Sequence, residues 1–449
     1  VAKLWEKGYE LNKAIEEFTV GSDFELDQKL VRMDAIGSIA HAQMLARIGI
    51  LNPEEFVLLK EVLLEIIELD EHGSFTIAVE DEDVHSKVEQ HLTEKLGEIG
   101  KKIHTGRSRN DQVLLDLRLY TKEKLLSIRK DLLELCKTLL AFSEKHRAVP
   151  MPGRTHTQPA MPSTVGLWAG ALLESLLDDL VLLNTAYELN DQCPLGSAAS
   201  YGVPIDIDRQ FTADLLGFAS VQNNVLYANN SRGKTESVVL FALAQVMLDL
   251  SKLAQELILF SLREFGYFTL PDELCNGSSI MPQKKNPAGM ELVRAKAGTL
   301  LGCLFQILGI IKGLPSGYNR DFQETKEPFM RGLEVAHTSI RVCNVVMSKV
   351  LVNADRLREA CTAEIFAVDR ALELVKGGMP FRDAYRHVAF HLDELKATDP
   401  AEAALRKRHI GAPGNLGLEK SKRRVAAQLE RLDEQRRAFS SAIAELLKP

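Results

Sequence analysis

Four short stretches of this chain concentrate side chains that can bind and move charge. Residues 105–112 (TGRSRNDQ) hold two arginines, a serine and an asparagine at an expected helix start. Guanidinium forks pair with carboxylates, and free N–H groups at a helix start add to the field. An ordinary N-cap with surface charges is the plain alternative. Residues 153–159 (GRTHTQP) set His156 among hydroxyls and an amide, where it could serve as acid or base near neutral pH; a structural histidine is the alternative. Residues 277–287 (GSSIMPQKKNP), with Glu291 soon after, offer an anion one charge from Lys284 and the amide of Asn286. A flexible connector would look similar. Residues 318–326 (YNRDFQETK) mix hydrogen-bonding types suited to an amino-acid-like ligand, or to a capping turn.

Long helices must position these stretches. In residues 121–147 the apolar set Leu125, Ile128, Leu132, Leu135, Leu139 and Phe142 recurs every three or four residues. Residues 235–264 repeat the pattern with Val239, Leu243, Val246, Leu250, Leu253, Leu257 and Phe260. Both are heptad seams. Residues 164–190, 287–312 and 327–353 read as helices too, so the expected fold is all-α, with an antiparallel long-helix bundle. Several helices are apolar on more than one face, which calls for further partners such as other subunits. Proline and glycine clusters at 151–153, 159–162, 193–204, 274–287 and 313–319 divide the chain. No strand region or internal repeat is expected. The division is a helical domain 1–104, a bundle 105–354 and a helical domain 355–449.

Composition removes other classes. A net charge of −7 and a pI near 6.0 offer no basic face for nucleic acid. The basic run 420–424 (KSKRR) reads as a solvated helix face. Six scattered cysteines without a C-x-x-C fit reduced thiols in a cytoplasmic protein better than disulfides or zinc. Cys275, near the third stretch, reads as a small neutral neighbour. The start VAKLWEKGYELNK has no apolar signal core. The most apolar segment, 299–311, is read as too short for a membrane span and as a buried core helix.

Together the four stretches resemble the fumarase/aspartase superfamily, whose signature loop G-S-S-x-M-P-x-K-x-N-P the third matches throughout. TGRSRNDQ, MPQKKNP and YNRDFQETKE are similar to the argininosuccinate lyase family and its lens relative, delta crystallin. The resemblance runs from Leu4-Trp5 to the C-terminal helices. It implies an all-α homotetramer, fumarase/aspartase-like, with active sites shared between subunits. The implied reaction is elimination of arginine from argininosuccinate to give fumarate, without metal or cofactor. Lys284 and Asn286 would hold the carboxylate beside the carbon that loses its proton. Ser278 would be the base and His156 the acid, with the opposite assignment open. Glu291 would pair with His156. Ser108, Arg109, Asn110 and Thr155 would bind the succinyl carboxylates. Asp27, Tyr318, Gln323 and Lys326 would hold the amino-acid end, and Asp83 and His85 support the site.

Two segments depart from that family. Many members carry F-N-x-S-x-x-x-D near the N-terminus. Here Phe18 leads to Asp27 with two extra residues, and Asp23 falls at the serine. Residues 409–416 (HIGAPGNL) also differ from the usual glycine turn. Both changes bear on the amino-acid end, so a modified argininosuccinate is one alternative substrate. An aspartate or adenylosuccinate lyase is another reading, and an inactive crystallin-like structural protein a third.

Overall fold

Five long helices carry the central region of the computed structural model, which describes residues 12–448. Leu4, Trp5 and the rest of the stretch read for a signal core up to Leu11 lie outside the described residues. A short N-terminal helix (Lys13–Val20) and one helical turn (Asp23–Asp27) precede helices α1 (Val31–Arg47), α2 (Pro53–Glu71) and α3 (Val84–Leu96). The bundle follows: α4 (Arg109–Lys145), α5 (Val165–Asn190) and, after the short α6 (Val225–Asn230), α7 (Lys234–Ser261), α8 (Ala288–Ile311) and α9 (Lys326–Lys349). Helix α4 packs on α5 and α9, and α7 packs on α5, α8 and α9. The last helix, α10 (Leu418–Leu446), returns to lie on α4 and α5.

Sequence explains these elements. Every seam residue of α4 and α7 is buried, from Leu125 and Val239 at 0% exposure to Phe142 at 7%. Ser108 caps α4 by accepting from Asn110 N at 3.3 Å, while Asp111 Oδ1 accepts from Ser108 N at 2.8 Å. That reciprocal capping satisfies free N–H groups and fixes where the helix begins. Gly332 lets α9 approach α7 closely: a Cβ there would lie 2.7 Å from a Leu240 methyl. One apolar cluster runs from Leu30 to Leu446, and two small clusters lie within residues 361–403.

Two expectations need correction. Segment 299–311 is the second half of the 24-residue α8, and it is not a buried core helix. Only 28% of its most apolar window is buried, and Phe305 stands 67% exposed. Helices α7 and α9 cover one side of it, and nothing among the described residues covers the other. By length and mean hydropathy alone, both α7 and α8 could cross a membrane, as many core helices could.

The second correction concerns strands. Residues read as helix breakers form an antiparallel hairpin of β1 (Pro150–Thr155) and β2 (Gln158–Thr164), with a register shift at Gly153/Arg154. Two-residue pairs 268–269 with 351–352 and 192–193 with 220–221 make two further small sheets. Four prolines hid the hairpin. In a two-stranded ribbon both strands are edges, so prolines can occupy positions that donate no ladder bond.

Candidate active site

The start of α4 is fixed from three sides. His41 is buried, and burial beside Arg107 pushes its pKa down to about 3, so the ring is neutral. It therefore donates from Nε2 to the Thr105 carbonyl at 2.9 Å. Arg107 donates to Ser38 Oγ at 2.9 Å. Asp111 Oδ2 accepts from Gly196 N and Ala198 N at 3.0 and 2.7 Å, tying the 193–204 loop to the helix start. Arg109 and Asn110 are thereby presented to a cleft of about 180 Å³. Ser108 spends its hydroxyl on capping.

The cleft joins regions far apart in sequence. Lys326, 1% exposed, opens α9 and ion-pairs with Asp27, also 1% exposed. Asp23 Oδ1 lies 2.7 Å from the same ammonium, off the hydrogen-bond direction. Burial opposes the Lys326 charge, but the two carboxylates outweigh it and hold its pKa above the ordinary value. Asp27 Oδ2 also accepts from Val84 N at 3.1 Å, and burial raises its pKa. Tyr318 lines the opening. Gln323 donates to the Thr19 carbonyl at 3.1 Å, so its amide is engaged with the N-terminal helix, as is Arg320 at 2.7 Å.

Asp83 caps α3 by accepting from Ser86 N at 2.8 Å and pairs with Arg109 at 3.0 Å. Burial opposes its charge, yet His85, Arg109 and Ser86 hold its pKa below the usual value. Glu82, just before it, takes φ +67 and meets Arg109 at 3.3 Å. His85 Nδ1 donates to Asp34 Oδ2 at 2.6 Å and lies 3.7 Å from Asp116 Oδ2. Burial would discharge His85. The Asp34 hydrogen bond and the charges of Asp34, Asp116 and Asp83 win, raising its pKa to about 9. The floor of the cleft is thus an imidazolium among carboxylates.

The remaining predicted residues lie elsewhere. Thr155 and His156 are exposed at the hairpin tip, where His156 and Thr157 take φ +51 and +63. Arg154 fastens this tip, donating to the Thr157 carbonyl at 2.8 Å and to Tyr267 at 2.9 Å. The signature loop is closed at its neck by paired Asn276 and Asn286 backbones, and Asn286 Nδ2 donates to the Gly277 carbonyl at 3.3 Å. Ser278 Oγ accepts from Ile280 N at 3.4 Å and Met281 N at 3.1 Å. Lys284 and Glu291 are exposed. None of these residues lines the cleft, and no hydrogen bond or ion pair joins His156 to Glu291 among the described residues.

Comparison with known proteins fits this geometry. A family profile described as "Lyase" matches residues 10–302. An argininosuccinate lyase of Thermotoga neapolitana is 46% identical over 86% of this chain and 97% of its own length. That of Bacteroides thetaiotaomicron is 45% identical over 92% of each. The chain belongs to the argininosuccinate lyase family. An argininosuccinate lyase of Sorangium cellulosum is 41% identical over 94% and 98%. Among solved structures, an EDDS lyase in complex with formate superposes at TM-score 0.84 with 22% identity, over 98% and 96% of the two chains. A class II fumarase from Schistosoma mansoni reaches 0.73 at 16% identity, over 90% and 97%. These two establish the fold.

Sequence reading missed several residues in the cleft or packed behind its His85. Asp34 and Asp116 looked like ordinary helix positions, and only the fold turns them toward His85. Glu82 and Arg320 flank predicted residues, and neither was given a role, although Arg320 lies within the fourth polar stretch. Arg232 also lines the cleft, and it had a signal. Residues 229–234 (NNSRGK) form a polar run at a long-helix start, like the four stretches already singled out.

Proposed function

We propose that this protein cleaves argininosuccinate to arginine and fumarate, serving arginine biosynthesis as a cytoplasmic homotetramer whose active sites are shared between subunits. The observation that carries the reading is 41–46% identity to argininosuccinate lyases over nearly their whole length.

In the proposed reaction Ser278 removes the proton from the carbon beside a succinyl carboxylate. The two N–H groups on its Oγ support that role, because donors aimed at an oxygen favour its anionic form. Lys284 and Asn286 stabilise the charge that develops on the carboxylate, each ~1.4 kcal/mol being worth tenfold in rate. His156 passes a proton to the departing nitrogen. Exposed His156 tips and Ser278 loops, away from the cleft, fit sites completed by neighbouring subunits. The uncovered apolar residues Phe241, Leu292, Phe305 and Val345 on α7, α8 and α9 fit the surfaces that join them. Arg294 and Lys296 within α8 favour such a face over a membrane span.

Asp23 and Asp27 together outnumber the Lys326 charge. A free α-ammonium would balance them, and an N-acylated substrate would not, which favours unmodified argininosuccinate. The test is fumarate release from argininosuccinate, followed by ultraviolet absorbance. Turnover by a particle of four-chain mass in light scattering is expected. An intact tetramer that releases no fumarate overturns the reading, and N-acylated argininosuccinate would be offered next.

A further inference from the structure

Far from the cleft in sequence, two histidines stand in a pattern that the proposed reaction does not use. His387 lies in the last turn of the helix Phe381–Phe390, and His391 is the residue that closes it. Residues four apart share one helix face. Here the two rings lie 4.5 Å apart, centre to centre, and are tilted by 31°. His391 Nδ1 donates to the His387 carbonyl at 2.6 Å. A carbonyl only accepts, so the neutral His391 ring carries its proton on Nδ1 and its lone pair on Nε2. The His387 ring has no hydrogen bond or ion pair among the described residues, and its side chain is exposed.

Helix capping does not explain the pair. His72 closes α2 in the same way, donating from Nδ1 to the Glu68 carbonyl at 2.7 Å, with a glutamate rather than a second imidazole four residues before it. One histidine is enough for a cap. A metal-bound imidazole almost always ties its other N–H to a carbonyl or carboxylate, which sets the tautomer and turns the ring. His391 has that arrangement. With metal–nitrogen bonds of ~2 Å, two imidazoles on one ion stand roughly 4.5–5 Å apart, and the two rings meet that spacing. The C-terminal end of the helix adds a field that favours a cation.

We infer that His387 and His391 together chelate one divalent transition-metal ion of the zinc, nickel or copper kind. Imidazole nitrogens select these ions over magnesium and calcium, which prefer oxygen. Among the described residues no Asp, Glu, Cys or His joins the pair as a third ligand, so water takes the remaining positions. Asp34, His85 and Asp116 also have ligand spacing, but they are a poorer host. His85 Nδ1 donates to Asp34 Oδ2 at 2.6 Å, and the surrounding carboxylates hold a proton where the ion would sit. The effect of the histidine site is local. The helices Ala367–Lys376 and Phe381–Phe390 pack on each other around a small core of Ala371, Ala384 and Val388, separate from the main apolar cluster. An ion that bridges the last turn of the second helix to its closing residue binds the folded hairpin alone, and so steadies it.

The experiment titrates zinc chloride into the full chain, free of any polyhistidine tag, by calorimetry. Wild type should take up one zinc per chain at a site that His387→Ala and His391→Ala each weaken by at least about tenfold. His387→Gln gives the same answer if the alanine variant does not fold. Magnesium chloride should not fill the site. Hydrogen exchange of backbone amides in residues 381–395 should slow with zinc in wild type and stay unchanged in the variants. A wild-type chain that binds no zinc overturns the inference. So does zinc binding that survives both alanine variants, which would move the ion to Asp34, His85 and Asp116 or to another histidine. Equal binding of magnesium at the same site would assign it to carboxylates and overturn the inference as well.

Discussion

The cleft and the signature loop are both rich in polar residues, yet they are built in opposite ways. Asp27 and Lys326 are 1% exposed and held by partners from three elements. Lys284 stands in solvent, and Ser278 is fixed only by its own loop. The cleft is preorganised within one chain, so its cost of ordering is met on folding. In the proposed reaction, a neighbouring subunit or the substrate encloses the loop and the hairpin tip. The proposed binding residues and the proposed reacting residues should therefore fail differently when altered.

The largest contrast should come from Ser278→Ala. Turnover should fall by on the order of 10³-fold or more, as for loss of a proton-transfer group, while arginine binding in the cleft stays as in wild type. Near-normal turnover would remove serine from the chemistry. Next, His156→Asn and Ser278→Ala tetramers can be mixed and reassembled. If the two residues of one site come from different subunits, up to about a quarter of wild-type activity should return. No recovery despite proven exchange would place both in one subunit.

Asp27→Asn should act at the other pole. It breaks the pair with Lys326, and KM should rise by about 10–100-fold with a smaller effect on kcat. An unchanged KM would take Asp27 out of substrate binding. The smallest effect concerns stability. His85 is raised from 6.5 to about 9 against Asp34, Asp116 and Asp83. Its contribution is fully present below pH 6.5 and is lost as pH rises through about 9. The melting temperature should fall by a few degrees between pH 7 and 9.5, and His85→Gln should flatten that fall. An equal fall in the variant would assign the titration to another group.

Where residues were legible in sequence, local chemistry was the reason. The α4 and α7 seams obey helical period, and each buried position was named by spacing alone. Ser108 and Asp111 announce a helix start through a local capping pattern. The hairpin was not legible, because its pairing is set by two strands meeting and its prolines read as breaks. The exposed side of α8 was not legible either, since hydropathy tells that a face is apolar and not what covers it.

Sequence by itself determined the helical class, the four polar stretches and the family. Those follow from periodicity and from motifs whose residues are neighbours in the chain. Only the tertiary structure decided that Asp23, Asp27, Asp83, Arg109, Arg232 and Lys326 share one cleft. Ion pairing acts through space. Residues some 300 positions apart, such as Asp27 and Lys326, become partners only when the packing of helices brings them within reach.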